Sequence, residues 1–214
     1  MDSLIYDLPA LTIRRISVSE MDNNVYLLTA KASGTQVLID AADDLPAIRQ
    51  LLQDGAADTS AEPRLALIAT THQHWDHVRA LNELVEATGA KTAAGTEDAE
   101  QLPVTVDVPL EHADVANFDG FDLTAVHLRG HTPGSLALLY RGEDRPHLFT
   151  GDSLFPGGPG KTWSAEDNAQ LIGDLEERVF DRLDDDTWFY PGHGDDSTLG
   201  AERPSIPEWR SRGW

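Results

Sequence analysis

Cysteine is absent from this 214-residue sequence. Disulfides, thiolate metal ligands and a cysteine nucleophile are therefore excluded, and any bound metal must be held by nitrogen and oxygen. Basic residues are scarce too: 16 Lys and Arg stand against 37 Asp and Glu, a formal net charge of −21 at pH 7. A field of that sign repels nucleic acid and anionic membrane, so neither is an expected partner. The acidic runs at 184–186 and 195–196 read as solvated loops, and the mildly basic stretch 203–212 as a solvated tail. No run reaches the roughly 18 apolar residues that a membrane span needs. The opening segment, MDSLIYDLPALTIRR, carries acids before any apolar stretch, unlike a secretory signal. The expected location is the cytoplasm. Repeats, low-complexity tracts and linkers are also missing, which points to one folded unit.

The remaining pattern is that of an ordinary globular chain, 40% hydrophobic and 25% charged. Strand-like runs at 11–18, 25–30 and 36–39 are separated by Asn23-Asn24 and Ser33-Gly34. Leu45, Ile48, Leu51 and Leu52 recur at helical spacing, predicting a helix over 45–53 that stops before Gly55. An apolar run at 65–69 reads as a buried strand. A second helix is predicted over 77–88, with Val78, Leu81, Leu84 and Val85 on one face. Further strands are expected at 121–128, 136–140, 147–150 and 188–190, and a third helix over 165–183. Two batches of strands with helices between and after them suggest sheets sandwiched between helices.

Of eight histidines, three crowd into THQHWDH, residues 71–77. The predicted strand at 65–69 empties directly into this segment. Three other predicted strands end beside a potential ligand: His131 in GHTPGS, Asp152 in TGDSLF and His193 in YPGHG. Glycines adjoin these positions, allowing sharp turns and close backbone approach. Each residue has an ordinary explanation by itself. Asp76 could cap the second helix, His131 and Asp152 could serve turns, and His193 could be a surface imidazole. Their joint placement at strand ends is what ordinary explanations do not cover. Imidazole and carboxylate suit zinc, iron or manganese. Seven such ligands exceed what one tetrahedral ion takes, whereas two ions sharing a carboxylate bridge use them all.

His72-Gln73-His74-Trp75-Asp76-His77, with His131, Asp152 and His193 downstream, resembles the metallo-β-lactamase superfamily over about residues 25–200. The resemblance implies an α/β fold, an αββα sandwich with the metals at one edge of the two sheets. It implies that His72, His74 and His131 hold one metal, that Asp76, His77 and His193 hold a second, and that Asp152 bridges. Zinc is the expected ion, with iron or manganese open. GDSLFPGGPGKT, residues 151–162, is similar to the glyoxalase-II-like branch, whose matching lysine helps hold the glutathione carboxylate. That correspondence makes Lys161, one of three lysines in the chain, and Phe155 the expected substrate contacts.

Only 21 residues follow His193, so the expectation is a single domain, 1–214, without the additional C-terminal helical domain of full-length glyoxalase II. The β-lactamases proper carry Cys or Ser at the position of Asp152, and the nuclease branches need a basic surface. The activity implied is a binuclear metal-dependent hydrolase of acyl thioesters of a small thiol, with Asp76 orienting the attacking water. The alternatives are a persulfide-dioxygenase-like enzyme using one iron on His72, His131 and Asp152, and a lactone or ester hydrolase of the same fold. A small-molecule substrate is the expected partner. His112, His127 and His147 are read as structural, and Trp209 and Trp214 as packing the tail onto the body or onto a second subunit. Nothing in the sequence specifies an oligomeric state.

Overall fold

The structure, a computed structural model, describes residues 3–213. Seven strands form one sheet in chain order. They are β1 (Leu4–Asp7), β2 (Leu11–Val18), β3 (Asn23–Ala30), β4 (Thr35–Ile39), β5 (Arg64–Ala69), β6 (Lys91–Gly95) and β7 (Val108–Leu110). The first four are antiparallel neighbours. From β4 onward the pairing is parallel, which requires crossovers. Helix α1 (Leu45–Ala56) joins β4 to β5, and α2 (Leu81–Thr88) joins β5 to β6.

A six-stranded sheet is built from β8 (Val115–Phe118), β9 (Phe121–His127), β10 (Leu136–Arg141), β11 (Pro146–Gly151), β14 (Trp188–Pro191) and β15 (Ser197–Thr198). Its order is β15-β14-β11-β10-β9-β8. Between β11 and β14 the chain makes a small ribbon, β12 (Leu154–Phe155) and β13 (Gly158–Pro159), and then α3 (Ala165–Leu175). Two short helices, α4 (Leu199–Glu202) and α5 (Ile206–Arg212), follow β15.

Alternation along the strands sorts the apolar side chains into three layers. In β3, Tyr26 and Leu28 face the second sheet, where they meet Leu123, Leu138, Phe149 and Tyr190. Val25 and Leu27 face the other way, onto Ile48 and Leu51 of α1 and Leu81 and Leu84 of α2. On the far side, Leu171, Ile172 and Leu175 of α3 cover Val126, Ala137, Leu139 and Leu148 of the second sheet. Helix, sheet, sheet, helix is the order expected from the sequence.

All three predicted helices differ from the observed ones. The first does not stop before Gly55 but runs through it to Ala56, because Gly55 packs closely on Leu27 and Thr29 inside the helix. The second begins at Leu81, not at residue 77. Its lead-in is a 3-10 turn, Trp75–His77, after which the N–H groups of Arg79 and Ala80 bond to the carbonyls of Ala42 and Ala41. Those bonds tie residues 79 and 80 to the loop after β4, and the helix begins only beyond them. Asp76 therefore caps no helix. The third helix runs to Leu175, widens into a π-helical segment, Glu176–Phe180, and stops short of residue 183. The Arg203 guanidinium takes up the carbonyls of Phe180 and Leu183 there.

Strands β1, β6, β7 and β8 carried too little apolar alternation to be foreseen; β6, for example, reads KTAAG. Trp209 is buried against Phe180, ring centroids 5.9 Å apart, whereas Trp214 lies outside the described residues. His147 is structural as expected, buried between Tyr190, whose hydroxyl meets its Nδ1 at 2.7 Å, and Asp144. Among the described residues no helix is long and apolar enough to cross a membrane.

On β2 of the first sheet, Arg14 donates to both oxygens of Asp58, from Nε at 2.7 Å and Nη2 at 2.6 Å, and the Thr12 hydroxyl donates at 2.7 Å. Burial works to raise the Asp58 carboxyl, but Arg14 and Thr12 outweigh it and hold it below the usual range. A carboxyl depressed on folding stabilises the fold above its unfolded pKa, and that contribution is lost as pH falls through the folded value. Asp58→Asn should lower Tm at pH 7 by ~4–8 °C, about 2 kcal/mol. The gap from the unmodified chain should close as both are titrated into acid. A gap of constant size from pH 7 to acid would contradict this role.

Candidate metal centre

The seven residues singled out in the sequence meet at one edge of the sandwich, at the loops that follow β5, β9, β11 and β14. His72, His74 and His131 bring ligand atoms within 4.8 Å of one another; so do Asp76, His77 and His193; and so do His72, His77 and Asp152. Asp152 lies between the groups. Its Oδ1 is 3.4 Å from His77 Nε2, and its Oδ2 is 3.4 Å from His193 Nε2 and 3.7 Å from His131 Nε2. Asp76 Oδ2 lies 3.3 Å from His193 Nε2 and 3.5 Å from His77 Nε2.

Four of the five imidazoles, all but that of His74, are held from outside the cluster, and the holder fixes the tautomer. His77 Nδ1 donates to Asp40 Oδ2 at 2.9 Å. His131 Nδ1 donates to the Lys161 carbonyl at 2.6 Å, and His193 Nδ1 to the Met21 carbonyl at 2.8 Å. The Thr71 hydroxyl gives its hydrogen to Asp40 at 2.8 Å and so accepts from His72 Nδ1 at 3.1 Å. Four Nε2 atoms therefore turn inward. Those of His72 and His131, together with Asp152 Oδ1, are buried without a hydrogen-bond partner. The Nε2 atoms of His77 and His193 stand 3.1 Å apart, a contact that needs a proton or a cation between them. Buried acceptors without donors are rare and costly. A group of cations is what such a donor set fits.

The electrostatics divide the site in two. Burial, reinforced by the neighbouring imidazoles, holds His72 well below the usual histidine range, and burial lowers His74 and His131 as well. These three present neutral nitrogens. Burial also opposes the charging of His77 and His193, but the carboxylates win. Asp40 and Asp152 raise His77, and Asp152 with the Met21 carbonyl pushes His193 up to about 9. Asp76 and Asp152 resist the effect of burial: Asn23 and the imidazoles hold the first below the usual carboxylate range, and His193 and His77 hold the second there.

Local structure explains the placement. Asp40 follows β4 in the left-handed region, φ 59°, a conformation aspartate adopts more readily than most residues. That turn sends its carboxylate under the Thr71–His77 loop, where it also accepts from Thr71 N–H at 2.7 Å. Gly192 is required by space. A Cβ there would lie 2.2 Å from Asp152 Oδ1 and 2.6 Å from the His77 ring.

Lys161 reaches the site twice, through its carbonyl on His131 and through its ammonium, 4.5 Å above the Trp163 ring. It forms no ion pair among the described residues. Trp163 is exposed, yet its Nε1 donates to the His131 carbonyl at 3.2 Å and its ring lies 6.3 Å from that of His74. Phe155 is half-buried with its ring 6.4 Å from His193.

Sequence reasoning missed the holders, Asn23, Asp40, Thr71 and Trp163. Asp40 left a signal, an acid placed directly after the apolar strand VLI. Asn23 left none; it had been read as a strand breaker. In the structure it begins β3, and its Nδ2 donates to Asp76 Oδ2 at 2.9 Å.

Comparison with known proteins agrees with this geometry. The chain is 35% identical over 144 residues to the hydroxyacylglutathione hydrolase of Fuscovulum blasticum, which covers 65% of this chain and 51% of that protein. It spans about half to two thirds of the length of several such relatives, 51%, 57% and 66%. Among solved structures it is similar to TTHA1623 in a di-iron-bound form, at 28% identity and a TM-score of 0.68, covering 91% of this chain and 98% of that one. ETHE1 from Myxococcus xanthus matches at 27% identity and a TM-score of 0.77, covering 93% of this chain and 84% of that one. A family model, metallo-beta-lactamase superfamily, matches residues 18–193, a span that holds all seven side chains of the cluster. The chain belongs to the metallo-beta-lactamase superfamily.

Proposed function

We propose that this protein is a binuclear metal-dependent hydrolase of acyl thioesters of a small thiol, and that zinc is its usual ion. The observation that carries the reading is the pair of ligand groups joined through Asp152, with inward Nε2 atoms of His72 and His131 that no protein donor satisfies. His72, His74 and His131 would hold one ion, Asp76, His77 and His193 the other, and Asp152 both. Relatives named hydroxyacylglutathione hydrolase and a similar structure that binds two irons support it. Bound divalent ions lower the pKa of water toward neutrality and polarise a carbonyl.

The chain's own residues supply the rest. Asp76, its Oδ2 fixed by Asn23, accepts a hydrogen bond from the attacking water and aims it at the carbonyl. The leaving thiol, with a pKa near ~8.5, departs as thiolate. No general acid is needed, which suits a site whose polar side chains would nearly all serve as metal ligands. Lys161, without a carboxylate partner and beside Trp163, offers a cation to an anionic end of the substrate, and Phe155 offers an apolar flank.

A second reading has one observation in its favour. Within the seven-residue cluster the buried atoms without a partner belong to His72, His131 and Asp152, the three that a single iron would use in an oxygenase acting on persulfides, and ETHE1 is a similar structure. Metal content separates the two. Two ions per chain with no oxygen uptake fit the hydrolase; one iron with oxygen consumed on a persulfide fits the oxygenase.

The zinc-loaded protein should hydrolyse S-lactoylglutathione or a related acyl thioester, and His74→Ala should reduce kcat/KM by at least about a hundred-fold. Equal rates for the two proteins would overturn the hydrolase reading. Lys161→Ala should raise KM for a substrate with a free carboxylate by about ten-fold while kcat changes little; an unchanged KM would remove Lys161 from the site. Chelation should lower Tm by ~10–20 °C when both ions had been present at a hundred times their Kd, and a chelator without effect on Tm would speak against bound metal.

A further inference from the structure

We propose that Asp98, outside the seven, is the positioning residue of the His72, His74 and His131 cluster, an inference that rests on reading that cluster as a cation site. Asp98 precedes a short 3-10 turn, Ala99–Gln101, where an aspartate ordinarily caps the N–H groups of its own turn. It makes no such bond. Its carboxylate points inward instead, and the residue is fully buried, 0% exposed. Oδ1 accepts from Gly134 N–H at 2.7 Å. Oδ2 accepts from Gln73 N–H at 2.9 Å and from the Thr132 hydroxyl at 2.6 Å.

Those three donors lie on the two loops that deliver the cluster. Gln73 sits between His72 and His74, on the loop that leaves β5 of the first sheet. Thr132 and Gly134 follow His131, on the loop that leaves β9 of the second sheet. One carboxylate thus ties together ligands that arrive from different sheets. Gly134 permits the approach, because a Cβ there would stand 2.5 Å from Asp98 N and 2.8 Å from its carboxylate. Both oxygens are occupied by donors, so Asp98 is not itself a ligand. It acts through where it holds the imidazoles.

Three converging donors require an acceptor without hydrogens, which an ionised carboxylate is and an amide is not. Asn at this position would turn its NH2 against Gly134 N–H in one orientation and against Gln73 N–H in the other. Residues that orient a metal ligand from behind typically change affinity by roughly ten- to a hundred-fold when altered.

Metal-free wild type, Asp98→Asn and Asp58→Asn are titrated with cobalt(II), read by visible absorption and by competition with a chelator, and melted without metal. Asp58, on the connection from α1 to β5 and bonded to Thr12 and Arg14 of β2, serves as the control for loss of a buried carboxylate. Asp98→Asn should weaken one of the two cobalt steps by roughly ten- to a hundred-fold and shift its absorption bands, with the other step within about threefold. Asp58→Asn should melt lower yet bind as wild type does. Should Asp98→Asn not fold, Thr132→Val removes one of the three donors and should weaken the same step by a smaller factor. Either variant, folded and binding both ions with wild-type affinity, overturns the role of Asp98. A wild-type chain that takes up no cobalt overturns the cation reading as well, which tells the two failures apart.

Discussion

Lone pairs facing lone pairs is the constraint on which this structure turns. His72, His77, His131 and His193 all direct Nε2 into one space, with Asp76 and Asp152 beside them, and nothing in the protein donates to enough of them. A fold does not bury such a set without something to offset the desolvation. What makes the arrangement persistent is the outer ring of acceptors. Asp40, through Thr71 and directly, fixes two rings, and the carbonyls of Lys161 and Met21 fix two more. These bonds choose the tautomer that leaves Nε2 free before any ion arrives.

The sandwich supplies the rigidity this needs. Strands β5, β9, β11 and β14 end at the same edge, and the layers on either side of them are packed by fully buried side chains such as Leu28, Phe149 and Tyr190. Contacts between the sheets also reach the rim. Asn24 Nδ2 donates to the carbonyls of Pro191 and Gly194, and the Tyr26 hydroxyl donates to that of Pro191. These bonds join β3 to the loop that carries His193. The ligand loops are short and tied on both sides, so the chemistry is set by a scaffold built elsewhere.

Much of this was legible from residue order. Strands with strong apolar alternation and the helices with an apolar stripe stood out because burial on one face leaves a period in the sequence. The seven polar side chains stood out because each follows such a strand within a few residues. What stayed hidden was contact between distant segments. The second helix looked four residues longer than it is because Val78 fits its stripe, while the bonds from Arg79 and Ala80 to Ala41 and Ala42 are invisible in one dimension. Asp40, Asp98 and Asn23 looked like loop or turn residues for the same reason. Their importance lies in partners 25 to 53 positions away. Trp163 is exposed and local rules assign it nothing, yet it borders His74 and carries Lys161 on its face.

The most direct test is anomalous diffraction at the zinc edge from crystals of the zinc-loaded protein. Two peaks should appear at the sheet edge, one among His72, His74 and His131 and one among Asp76, His77 and His193, with Asp152 within bonding reach of both. Crystals with no peak at that edge, or with zinc bound only elsewhere on the surface, would contradict the account.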